Sequence, residues 1–247
     1  MSKSRSKRAQ SSAGRSGAPR GFEEQFTNVD DLMPIPVKRN NAPIVPKNKS
    51  QEQLIRTVTS HDLTFITGPA GTGKTWLIGA LAAQELEKKR ISKIIVTRPV
   101  VGVGDEEMGF LPGELEEKFA PWFEPFQDVL EERLGSSALQ YHLKRKNIVA
   151  SPLTYMRGKS FKDCWVILDE AQNTTQAQMQ MFLTRLGEGC KMVIMGDIKQ
   201  SDRGGLSGLA HAKGLLADVP EIGFHTFTRA DIVRHGLVQK IVEKYEE

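Results

Sequence analysis

Short apolar runs alternate with longer stretches of helical spacing along most of this chain. Residues 63–67, 94–97, 164–168 and 192–195 are brief, apolar and rich in β-branched side chains, which predicts strands buried on both faces. Residues 147–151 read as a further short strand, and 222–227 alternate like an edge or last strand. Between the runs, apolar positions recur with the period of a helix. Gln51, Leu54, Ile55 and Val58 share one side of a helix over 50–59, with Ser50 as its cap. Leu77, Ile78, Leu81, Ala82 and Leu86 do the same over 76–89. Further helices are expected over 114–134 (interrupted near Pro121 and Pro125), 138–143, 174–186, 207–216 and 230–245. Strand and helix in alternation predict an α/β domain with a mostly parallel central sheet flanked by helices.

The first fifth of the chain breaks this pattern. Residues 1–21 are Ser, Arg, Lys and Gly with almost nothing to bury, which predicts a disordered basic tail. Such a tail is either solvated or a flexible arm on nucleic-acid phosphates. Residues 22–49 carry Pro34, Pro36, Pro43 and Pro46, favouring an extended strap on the domain or on a neighbouring subunit. Residues 50–247 are the folded domain. The net charge of +4 is unevenly placed, because residues 1–20 hold six cations and no acid, leaving −2 for the rest. The basic balance therefore belongs to the tail and marks no basic face on the body. No apolar run approaches the roughly 20 residues that span a bilayer. No apolar segment follows the basic start, so a secretory signal and a membrane partner are not expected. Cys164 and Cys190 lack ligand-like spacing and read as small core residues in a reducing cytoplasm.

Candidate chemistry begins at residues 68–75, GPAGTGKT, between the first strand and the helix that follows it. The run fits G-x-x-x-x-G-K-[ST], the loop that cradles phosphates. Gly68, Gly71 and Gly73 let successive amides point at one anion, with Pro69, Ala70 and Thr72 completing the loop. The helix that opens at Gly73 adds unpaired N–H groups and a positive dipole end. Lys74 supplies a point charge for the β- and γ-phosphates, and Thr75 a hydroxyl for Mg2+. A nucleoside triphosphate site follows.

Three later strand ends carry polar residues where open α/β sheets hold ligands. The strand over 164–168 runs into Asp169 and Glu170, a pair suited to Mg2+ and water chemistry. Asp169 would hold the ion and Glu170 would orient and deprotonate the attacking water. The strand over 192–195 ends near Asp197 and Gln200; Gln200 is the first candidate for sensing the γ-phosphate and Asp197 the second. Arg98 ends the strand over 94–97, before a long glycine- and acid-rich loop over 102–113. With Tyr155, Arg157 and Lys159 in the loop over 152–159, it makes a candidate contact set for single-stranded nucleic acid.

Together these motifs resemble the PhoH family of P-loop ATPases. The resemblance is carried by GPAGTGKT, TRPVVGVGDEEMGFLPGELEEKFAPW, SPLTYMRGKSF, VILDEAQNTTQAQMQMFLTRLG, MVIMGDIKQSD and DIVRHGLVQKI, which cover most of residues 50–245. It implies a P-loop NTPase similar to the first motor domain of superfamily 1 helicases, with ATP and Mg2+ as cofactors. The family is associated with phosphate starvation and is frequent in bacteriophages. Some members add a PIN nuclease domain; no room for it precedes residue 50, so nuclease activity is not expected here. Similarity to ATP-driven helicases suggests that Gln51 contacts adenine. A lone motor domain needs an arginine finger from a neighbour, with Arg234 of the DIVRH stretch first and Arg229 second. A homo-hexamer follows as an expectation. The function expected is ATP hydrolysis coupled to remodelling of single-stranded nucleic acid, RNA ahead of DNA. An ATP-switched adaptor assembly is the alternative, and a small-molecule kinase is disfavoured by the acid pair.

Overall fold

The computed structural model describes residues 36–100, 115–158, 160–200 and 207–233, with no side-chain description for 115–120. The basic tail, the loop over 102–113, Lys159, Arg234 and most of the final helix expected over 230–245 lie outside the described residues. Six strands form one sheet: β1 (Leu63–Thr67), β2 (Lys93–Arg98), β3 (Ile148–Pro152), β4 (Cys164–Leu168), β5 (Lys191–Gly196) and β6 (Ile222–Thr226), in the order β3-β2-β4-β5-β1-β6. Every pairing among them is parallel. All six carboxyl ends therefore share one edge.

Both faces of the sheet are covered, and this explains the nearly unbroken apolar runs. Ile66, Val96, Ile167 and Val193 enter one core with Leu54, Leu77, Ile78 and Leu130. Phe65, Ile95, Val166 and Ile194 enter the other with Met179, Phe182 and Leu209. The first face is served by α1 (Lys49–Ser60), α2 (Lys74–Glu87), α3 (Leu115–Leu134) and α4 (Ser136–Lys144). The second is served by α5 (Gln176–Leu183) and α6 (Gly208–Leu215). Each fully buried aliphatic or Phe side chain contributes about 1.5–3 kcal/mol relative to exposure.

Several element ends differ from the sequence reading. The cap of α1 is Asn48, whose side chain accepts from the Gln51 N–H at 2.8 Å; Ser50 instead bonds the His225 ring at 3.1 Å. α3 is continuous through Pro121 and Pro125. These prolines are exposed and about one turn apart, on one side of the helix. α5 is shorter than expected at both ends; its start is fixed at Gln176 because Thr175 closes a capping box with Gln178, and it ends at Leu183 with Thr184 as its C-cap. Upstream of α1, the Asn40 N–H donates to the Glu132 carbonyl, Arg39 pairs with Glu87, and Arg133 donates to the Ala42 carbonyl. Residues 37–42 thus run along α2 and α3 without secondary structure of their own. Among the described residues no helix is long and apolar enough to cross a membrane.

Candidate nucleotide site

The loop between β1 and α2 is held from three sides. Gly68 donates to the Gly196 carbonyl at 3.1 Å, tying the loop to the end of β5. Phe227, just past β6, lies so close that a Cβ on Gly68 would come within 2.6 Å of its carbonyl oxygen. Gly68 also has φ +138°, a second reason for glycine there. From α1, buried Gln51 donates through Nε2 to the Thr72 carbonyl at 3.0 Å and accepts the Lys47 N–H at 2.8 Å. Gln51 thereby braces the loop from α1, and a Cβ on Gly73 would meet its Nε2 at 2.8 Å. Val233 closes the same flank by donating to the Gly71 carbonyl at 2.9 Å.

Gly73 caps α2 in the left-handed region, aiming the helix start at the crevice. Lys74 curls back, with Nζ 2.7 Å from both the Gly68 and Pro69 carbonyls. Burial pulls its pKa below the ordinary lysine value, while Asp197, Asp169 and Glu170 push it back up. Three carboxylates thus surround one ammonium group at the carboxyl ends of β4 and β5.

The parallel register brings the later motifs to this ammonium. Asp169 follows β4, with its N–H on the Thr97 carbonyl at 2.9 Å. Its pKa is raised to about 6, first by burial and then by the Glu170 charge, with Arg98 and Lys74 acting against them. Glu170 occupies the left-handed region at φ +49°, a costly conformation for a residue with a Cβ. Its carboxylate accepts from Gln172 Nε2 and lies 3.8 Å from Arg98 Nη2. Arg98 turns into the crevice toward Glu170. Gln200 lines the same crevice, with its N–H on the Asp197 carbonyl at 3.0 Å. Tyr155 and Arg157 are exposed beyond β3 and do not line it. Arg229 is exposed after β6.

Two features escaped the sequence reading. Gln172 is buried and bridges the site: Nε2 donates to Glu170 Oε2, and Oε1 accepts the Asp197 N–H at 3.1 Å. Its only sequence signal is a glutamine two places after an acid pair. The second is the wall of the crevice, a cavity of about 610 Å3, where Trp76, Trp122 and Pro125 face the phosphate loop. Those side chains are spaced like core residues of two helices.

The donors fit a hard cation. Thr75 and Asp169 both line the crevice and offer oxygen ligands, the type Mg2+ takes from protein before completing its shell with phosphate and water.

The chain is similar to known proteins. A family model described as PhoH-like protein matches residues 43–246. Protein PhoH of Escherichia coli (strain K12) is 46% identical over 211 residues, covering 84% of this chain and 59% of that protein. A PhoH-like protein of Bacillus subtilis (strain 168) is 47% identical over 203 residues, covering 81% of this chain and 63% of that protein. The chain spans about three fifths of the length of these relatives. The large terminase of a thermophilic bacteriophage superposes with a TM-score of 0.52 at 10% identity, over 82% of this chain and 50% of the terminase. That likeness shows the P-loop NTPase fold.

Proposed function

Because the chain belongs to the PhoH-like protein family, we propose that it is an Mg2+-dependent ATPase whose turnover acts on single-stranded nucleic acid, RNA ahead of DNA. The observation that carries the reading is the crevice in which Lys74 and the loop amides face Asp169, Glu170 and Gln200. Thr75 and Asp169 would hold Mg2+, which neutralises charge on the β- and γ-phosphates. The loop amides and Lys74, released from the Gly68 and Pro69 carbonyls, bind the phosphate oxygens. Glu170 takes a proton from the attacking water. As the new P–O bond forms, the bond from the γ-phosphorus to the β-bridging oxygen breaks, and ADP leaves with that oxygen. Gln172 orients the Glu170 carboxylate, and Gln200 follows the γ-phosphate.

Arg98 offers a cation from within the chain, and Arg234 or Arg229 of a neighbouring subunit would supply the finger in a homo-hexamer. Tyr155, Arg157 and Lys159 would contact the strand, in a cytoplasmic enzyme. Phosphate release, measured with and without single-stranded RNA and DNA, tests the proposal. Turnover should need Mg2+, fall at least 100-fold in Lys74→Ala and Glu170→Gln, and rise about tenfold with RNA. A rate indifferent to every strand, with assembly that depends on nucleotide, would favour an ATP-switched adaptor. No phosphate release from the wild-type chain would overturn the enzyme.

A further inference from the structure

α3 is longer than the helix it packs on, and the excess lies at the crevice end. The two helices run in the same direction. Phe126 and Val129 lie against Gly79 of α2, and Gly135, just past α3, lies against Arg39, which pairs with Glu87 in the last turn of α2. Gly79 is five residues along from Lys74, so Glu124 of α3 stands level with the start of α2. Residues 115–123 therefore rise past the phosphate loop by roughly 13 Å of helix.

This raised end carries Pro121 and Trp122, which with Pro125 at the level of the loop and Trp76 wall the cavity beside Lys74. Pro121 and Pro125 are exposed, and both indoles are half-buried. Trp76 donates its N–H to Glu132 at 3.0 Å, which fixes the ring and commits its polar edge. The opposite flank of the loop is filled by the chain itself, through Gln51 on Thr72, Phe227 against Gly68, and Val233 on Gly71. Among the described residues, the crevice beside the loop opens toward α3.

We propose that this aromatic and proline wall receives the base of the nucleotide, and that it accepts purines and pyrimidines alike. The inference rests on the triphosphate reading of the phosphate loop. Stacking uses the π face that every base has, so it tolerates any base. Rejecting one base for another needs polar groups aimed at its edge, which are left unpaired by the wrong partner. Proline has no such group, and the Trp76 N–H is already bonded.

Calorimetric titration of the full chain with Mg2+ and non-hydrolysable analogues of ATP, GTP and CTP, and with inorganic tripolyphosphate, tests the assignment. The three nucleotides should bind within about fivefold of one another. Trp122→Ala should weaken all three by roughly tenfold or more, the usual scale of one lost base–aromatic stack, and leave tripolyphosphate within twofold. Trp122→Phe, which keeps a ring, should restore nucleotide binding and guards against a variant that merely misfolds. Lys74→Ala should weaken all four ligands. Nucleotide affinity unmoved by Trp122→Ala but abolished by Lys74→Ala would place the base elsewhere, overturning this proposal and leaving the phosphate site intact. A hundredfold preference for one base would overturn the tolerance. Loss in Trp122→Ala of a short RNA strand alone would assign the wall to the strand. Wild-type chain that binds neither nucleotide nor tripolyphosphate would remove the triphosphate reading itself.

Discussion

Gln51 separates two accounts of the phosphate loop, and Gln51→Ala decides between them. In the structure its amide ties the Thr72 carbonyl to the Lys47 N–H, and its side chain is buried at 4% exposure. Truncation deletes two hydrogen bonds and leaves their partners beside a cavity too hindered for good solvation. A bond of this kind contributes about 0.5–1.5 kcal/mol, and a buried partner left unpaired costs about 1–3 kcal/mol. Together these predict a loss of roughly 2–4 kcal/mol. For a domain of this size each kcal/mol moves Tm by about 2–4 °C, so the melt should fall by roughly 4–16 °C. The loop then loses its brace as a whole. Thermal unfolding monitored by circular dichroism gives the first number, and calorimetric binding of ATP and tripolyphosphate gives the second. A brace predicts that both ligands weaken by the same factor, since the amides that grip phosphate have lost their support. An unchanged Tm with ATP alone weakened would refute the brace and restore Gln51 as a base contact.

Three further outcomes follow from the geometry. Gln172→Leu keeps volume but removes the bond that holds the Glu170 carboxylate; bonds to charged groups contribute about 1.5–3 kcal/mol, so kcat for ATP should fall roughly 10- to 100-fold with KM nearly constant, and a kcat within twofold of wild type would remove Gln172 from the site. Gly68→Ala forces a Cβ to 2.6 Å from the Phe227 oxygen at φ +138°; overpacking and strain each cost about 1–3 kcal/mol, so Tm should drop sharply, and a melt equal to wild type would contradict this packing. His225 is buried against Phe227, and burial lowers its pKa. The folded state resists its protonation more than the unfolded state does, so stability should fall as pH drops below the ordinary histidine value of about 6.5. His225→Gln should flatten that slope in urea melts taken between pH 7.5 and 5, and an identical slope would exclude His225 as a cause.

The strands and the phosphate loop were legible in the sequence because their causes are local. A strand buried on both faces must be apolar at successive positions, and β1, β2, β4 and β5 are. A loop that turns three amides toward one anion needs glycine at fixed intervals, so GPAGTGKT announces itself over eight residues. Element ends were less legible, because a cap depends on which side chain reaches a free amide; Asn48 did so and Ser50 did not.

Other assignments depended on which carboxyl ends the parallel sheet brings together. Arg98 and Glu170 are far apart in sequence, and only the pairing of β2 with β4 sets them 3.8 Å apart. Gln172 gains its role because β5 delivers the Asp197 N–H to its amide oxygen. Gln51 reaches the loop because α1 docks against it, which sets its amide on the Thr72 carbonyl. The tryptophan wall arises from the difference in length between two parallel helices, which no periodicity in either one reveals. Secondary structure and the phosphate grip could be read from the chain, since both answer to neighbours along it. The surroundings of that grip came from the folded sheet, since distances across it are set by strand order and register, which no single segment encodes.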